Sequence, residues 1–144
     1  MLKAYLRPRH INFWIALSIL VGITLRTVQY LGTSSMSFDQ LTSSLNIQSR
    51  TFYELATQSL DYNQVAPVGF LLCQKLATYL FGETDEAFRF FPWLWSLVSL
   101  SLFVLIANVF LKGSYLLAAI IFFAGAASQW LFAGDAKQYS GDLA

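Results

Sequence analysis

The chain has 144 residues, one cysteine and a formal net charge of +1. Charged residues make up only 12%, about half the share of an ordinary soluble domain, while apolar residues reach 56% and aromatics 17%. That balance excludes a disordered chain, a disulfide scaffold, since Cys73 stands alone, and a nucleic-acid binder, which needs a concentrated basic patch.

The chain opens with a short basic tail, residues 1–10, carrying Lys3, Arg7 and Arg9. An apolar run follows over 11–31, interrupted only by Arg26. At ~1.5 Å per residue such a helix spans about 30 Å, the thickness of a membrane core. Arg26 is expensive there, at ~3 kcal/mol near mid-membrane and less toward the boundary. Two roles are expected of it: snorkelling to the interface, or contact with a lipid phosphate or an acidic partner.

Residues 32–89 hold six acidic residues against three basic ones. Within them Leu41, Leu45, Gln48, Phe52, Leu55 and Ala56 mark one mostly apolar helical face. Asp39 can cap that helix, as can Ser37 with Gln40 three residues on. Asp61, Asn63 and Pro67 predict a bend over 60–67. Val68 to Phe81 is apolar but carries Gln74 and Lys75, so it reads as a helix at the membrane interface. The alternative, a fourth span, would put Lys112 outside. Gly82 ends this helix, and Thr84 or Asp85 caps the next, with Pro92 early in it.

Two uncharged stretches of 22 residues each then run from Phe90 to Leu111 and from Gly113 to Gly134. With Lys112 and Gly113 as the turn, they predict a transmembrane hairpin over 90–111 and 114–133. The basic tail places the N-terminus in the cytoplasm, so residues 32–89 and 134–144 lie on the outer side. The expected fold is therefore an all-α membrane protein. It has three spanning helices, with interfacial helices in a long first extracytoplasmic loop.

This topology gathers Asp39, Asp135 and Asp142 at one outer face, with Lys137 and Tyr139 beside the last two. An aspartate there is placed to act as general base toward an acceptor hydroxyl. Lys137 and Arg89 can balance a phosphate leaving group in a partly dehydrated site. Each residue also has an ordinary reading: a helix cap for Asp39, a boundary residue for Asp135, and interface anchors for Lys137 and Tyr139.

In order, the segments Phe38-Asp39-Gln40, Leu60 to Leu71, Arg89-Phe90-Phe91-Pro92 and Gly134 to Asp142 resemble the N-terminal part of a known family. It is that of the polytopic GT-C glycosyltransferases. These include bacterial relatives of protein O-mannosyltransferases (family 39) and of aminoarabinose–lipid A transferases. The resemblance implies Asp39 as catalytic base and Asp135 as a second acidic residue of the active site. It implies Lys137 and Tyr139 near the donor phosphate, and Arg89, Gln64 and Arg26 join them as expected substrate or lipid-phosphate contacts. No cofactor is implied firmly; a divalent metal, if used, would sit on Asp39 and Asp135. The implied partners are a polyprenyl-phosphate-linked sugar, an extracytoplasmic acceptor (glycan, lipid or protein) and membrane lipids, with no nucleic acid. The family has Asp-Glu where this chain has Asp39-Gln40. A bacterial inner-membrane enzyme is expected, of which these residues form an N-terminal portion inactive alone. The competing expectations are a small membrane scaffold or assembly protein, and a transporter or flippase fragment.

Overall fold

The computed structural model describes residues 8–32 and 36–136. These residues form helices and connecting turns, with no strand among them. In chain order the helices are α1 (Pro8–Gly32), α2 (Phe38–Ser49), α3 (Phe52–Thr57), α4 (Val68–Phe81), α5 (Asp85–Phe110), α6 (Ser114–Gly125) and α7 (Ala127–Leu131). A single 3₁₀ turn, Phe132–Gly134, follows α7.

Two helices, α1 from His10 and α5, are long and apolar enough to cross a membrane, and α6 with α7 makes a third if the bent pair counts as one span. Their outward surfaces carry Phe13, Leu20 and Val28 on α1, Leu105, Val109 and Phe110 on α5, and Phe122 on α6, all exposed. Such a surface is unfavourable in water and suited to lipid. Inside, the helices meet through small side chains, as membrane helices do. A Cβ on Gly22 of α1 would stand 2.9 Å from the Ala124 Cβ of α6 and 3.2 Å from Leu100 of α5. Further along, Ala107, Leu116 and Ile120 close the bundle, and Phe103 stacks on Phe123 at 4.0 Å.

The hairpin turn falls where the charge pattern puts it. Gly113 adopts a φ of 61°, which a glycine tolerates without strain. Lys112 donates to the Asn108 carbonyl at the end of α5, where helix carbonyls lack partners. Thr84 caps the start of α5 through Ala87 N at 3.2 Å. The helix therefore begins five residues before the uncharged run does.

Pro92 lies in the interior of α5 and cannot donate to the Phe88 carbonyl four residues back. Gln74 of α4 supplies the missing donor: its Nε2 donates to Phe88 O at 2.9 Å, fully buried. The kink-prone proline thus ties α4 onto α5. Replacing Gln74 by Leu leaves that carbonyl unpaired, so unfolding in detergent should weaken by about 1–3 kcal/mol. An unchanged unfolding midpoint would show that the bond contributes nothing.

The third expected span is not one straight helix. Ala126 leaves the helical region (φ −59°, ψ 121°), and α6 and α7 bend by 49°. Arg26 lies beside this break and turns inward rather than to the surface. Its side chain is fully buried, and Nη1 donates to Gly22 O at 3.0 Å and to Ala124 O at 3.3 Å, beside the break. The reason is geometric. Helical side chains tilt toward the helix N-terminus, so an arginine near the C-terminal end of α1 points back into the bundle. There it meets the carbonyl-rich, negative end of α6.

Helices α2–α4 form a small cap on the end of the bundle where α1 finishes and α5 starts. Ile47, Leu55, Leu71, Phe88 and Ala136 are its buried core. The expected apolar face of α2 is reversed. Gln40, Thr42, Ser43, Ser44 and Asn46 are buried, whereas Leu41 and Leu45 are exposed, in line with the exposed Phe38. The polar side chains turn inward because their partners lie there. Asn46 donates to Asp61 O at 3.3 Å and accepts from Asp61 N at 2.8 Å, stapling the 60–67 bend to α2. Lys75 caps the far end of α2, donating to Ile47 O and Gln48 O at 2.8 and 3.2 Å.

Candidate active site

Ser37, rather than Asp39, takes the N-cap of α2: its Oγ accepts from Gln40 N at 3.4 Å. Asp39 therefore stands one residue inside the helix, exposed, with its carboxylate turned to the 60–67 bend. Gln64 Nε2 donates to Asp39 Oδ1 at 2.9 Å, and Ser43 Oγ donates to Gln64 Oε1, also at 2.9 Å. Ser43 thus orients the amide, and the amide orients the carboxylate.

The neighbouring Gln40 points the other way, into the protein. Its Nε2 donates to Asp135 Oδ1 at 2.9 Å, linking positions 95 residues apart. Asp135 stands just past the 3₁₀ turn, half-buried beneath the cap. The Gln40 Oε1 is buried with no hydrogen-bond partner. Arg89, also buried, forms an ion pair with Asp85 at 3.7 Å and directs positive charge toward Asp135. Its side chain is closed off from the surface, at 1% exposure.

Burial pushes the Asp135 carboxyl above the ordinary aspartate range, and the Gln40 amide and Arg89 only partly offset this. The folded chain therefore holds this proton to higher pH than the unfolded chain does. The resulting stability is present in full below the usual aspartate value of 3.8 and is lost as pH rises through the raised one. Melting curves of the protein and of Asp135→Asn should show this directly. The wild type should lose stability relative to the variant across that window, and parallel pH profiles would contradict it.

The structure thus joins Asp39 to Gln64 on one side of the start of α2 and Asp135 to Gln40 on the other, with Arg89 acting on Asp135, and it holds Arg26 in the bundle interior. Lys137, Tyr139 and Asp142 lie outside the described residues. Among the described residues no group of three or more His, Cys, Asp or Glu side chains could hold a metal ion. Asp39 and Asp135 each already accept an amide N–H, so an ion here would depend on substrate oxygens for most of its ligands.

Reading the sequence gave Gln40 only as a capping partner of Ser37 and as the departure from Asp-Glu, and it missed Ser43 as part of the site. The available signal was weak: two polar residues at i+1 and i+4 from Asp39, on what reads as an apolar helix. Comparison with protein families, curated proteins and solved structures finds no match to this chain.

Proposed function

We propose that this chain supplies the outer carboxylate site of an inverting membrane glycosyltransferase that uses a sugar carried on a polyprenyl phosphate. The observation that carries the reading is the Gln40–Asp135 bond. It brings the start of α2 and the end of the third apolar segment together at one end of an apolar bundle. Two acidic residues in different settings on either side of the start of α2, one exposed and oriented, one half-buried, support a reading of acid–base work at this end of the bundle.

In the proposed step an acceptor hydroxyl oxygen attacks the anomeric carbon of the donor. The hydroxyl proton passes to Asp39, whose Oδ1 is held by Gln64. The anomeric C–O bond to phosphate breaks, and its electron pair leaves with the lipid phosphate. Asp135, held by Gln40 and facing Arg89, sets the charge around the acceptor. The exposed ridge of Phe38, Leu41 and Leu45 supports a lipid-linked substrate. It places apolar surface beside Asp39 at the end of the spanning helices, at the depth where a lipid head group would meet the carboxylate. The N-terminus is then cytoplasmic and the site extracytoplasmic.

The test is turnover. Proteoliposomes of the full-length protein should release polyprenyl phosphate from at least one member of a panel of polyprenyl-phosphate hexoses and aminopentoses when acceptor is present. Release from none, by a correctly inserted protein, would reject the reading.

A further inference from the structure

Asp39, Ser43 and Asn46 fall on one stripe of α2, and the C-cap residue Arg50 continues it. Each engages the 59–64 bend, in reverse order along it. Asp39 and Ser43 hold the two ends of the Gln64 amide, at 2.9 Å each. Asn46 holds the backbone of Asp61. Arg50 holds the Asp61 carboxylate at 2.9 Å and the Ser59 carbonyl at 2.7 Å.

The bend does not keep its shape by its own sequence. It closes through Gln64 N donating to Asp61 O at 3.3 Å, and its central residues have φ values of 62° (Tyr62) and 54° (Asn63). Asparagine accepts the left-handed region; tyrosine enters it at a conformational penalty. The Tyr62 ring is 63% exposed, so packing offsets little of this. Such a backbone persists where its surroundings fix it. Arg50 and Asn46 both reach it, and their settings decide between them. The Asp61 carboxylate is 68% exposed, so its ion pair with Arg50 competes with water and salt and fixes little. The Arg50 bond to Ser59 O is also at the surface and lies ahead of the turn. Asn46 is 1% exposed and grips both backbone groups of Asp61, accepting from N at 2.8 Å and donating to O at 3.3 Å. That carbonyl is the one that closes the turn onto Gln64 N.

We propose that Asn46 is a positioning residue for Asp39. It fixes Asp61, the turn fixes Gln64, and the Gln64 amide aims the carboxylate. The Asn46 side chain bonds to Asp61 and to Thr42 O rather than to Asp39, so its influence passes through the turn. The consequence for transfer rests on the glycosyl-transfer reading; the consequence for geometry does not.

The geometric test is cross-linking of the full-length protein in native membranes. With Cys73→Ser as background, Asp39→Cys and Gln64→Cys should be bridged by a short bis-thiosulfonate reagent. Adding Asn46→Leu should slow bridging roughly tenfold or more, the scale of a lost buried hydrogen-bonding group. Adding Asp61→Asn should change it less than about twofold, as the loss of an exposed ion pair does. Where Asn46→Leu yields no folded protein, Asn46→Asp keeps the acceptor for Asp61 N, gives up only the donor, and should slow bridging about threefold. The kinetic test is a double-mutant cycle. Asn46→Leu should lower kcat as much as Gln64→Leu does, leave donor KM unchanged, and lower kcat no further in the Gln64→Leu background. A merely structural role would reduce active protein in both backgrounds alike. Wild-type bridging in the Asn46 variants, an Asp61→Asn effect as large as theirs, or a kcat loss that persists in the Gln64→Leu background would each overturn the proposal. Slowed bridging in a protein that transfers no sugar would leave Asn46 in its role toward residue 39 and remove the enzyme reading. Transfer lost in Asp39→Asn, with bridging indifferent to Asn46, would do the reverse.

Discussion

Replacing Asp39 by Asn in the full-length protein is expected to lower transfer by roughly 10²–10⁴-fold, the usual contribution of a positioned general base. Asparagine keeps the oxygen that accepts from Gln64, so the site should hold its shape; only the proton acceptor is removed. The loss should therefore fall on kcat, with donor KM and the amount of protein in the membrane unchanged. Gln64→Leu gives a weaker version of the same effect. It removes the Nε2 donor that orients Asp39 at 2.9 Å and leaves Ser43 without its amide acceptor. Wild-type kcat in Asp39→Asn would strip Asp39 of its role.

Gly22→Leu should be the most damaging change in the bundle. The first side-chain atom already falls 2.9 Å from the Ala124 Cβ, and the neighbouring Arg26 Nη1 is 3.3 Å away. Neither the Ala124 Cβ nor the helix that carries it can give way without α1 and α6 separating. Overpacking of this kind costs ~1–3 kcal/mol, and here it also disturbs the Arg26 bonds to Gly22 O and Ala124 O. Leaving a buried guanidinium without its carbonyl partners adds to that. We expect little folded Gly22→Leu protein in membranes and a clearly lowered melting midpoint. Gly22→Ala should show a smaller loss, relieved when Ala124→Gly removes the opposing Cβ. Gly69→Ala is the control, since a Cβ there meets nothing within 4 Å. It should be neutral or slightly stabilising, because alanine favours the helix over glycine. Equal melting of Gly22→Leu and wild type would mean the two helices do not meet at Gly22.

Local features of this fold were legible because their causes are local. Lys112 and Gly113 mark the hairpin by breaking two uncharged runs. Thr84 and Gly82 mark helix ends by capping chemistry and backbone freedom. Asp61 and Asn63 mark the bend through side-chain and left-handed preferences. That Asp39 and Asp135 stand at the same end of the bundle was also within reach, since the two apolar stretches between them return the chain to that end.

What was not legible depends on distant partners. The hydrophobic period of α2 points to Leu41 and Leu45 as its inner face. The inner face is set instead by hydrogen bonds to Asp61, Gln64 and Asp135, the first two 15 to 25 residues away from their partners and the last 95. The apolar run over 114–133 gives no sign of the break at Ala126, where the chain leaves the helix beside the carbonyl that accepts from Arg26. Composition prices Arg26 by its depth in the membrane. Its tilt toward the α1 N-terminus, which decides where the charge goes, is a property of the helix rather than of the residue.

The juxtaposition of Gln40 with Asp135 carries the account, and proximity cross-linking in native membranes tests it most directly. With Cys73 changed to Ser, cysteines at Gln40 and Asp135 should be bridged by a short bis-thiosulfonate reagent, giving one linked peptide pair by mass spectrometry. The same reagent should not join Asp135→Cys to a cysteine at Leu45, on the exposed face of α2. Efficient bridging at 40 and 135 alone is the result this structure predicts. No bridging there, with both thiols shown to be reactive, would contradict it.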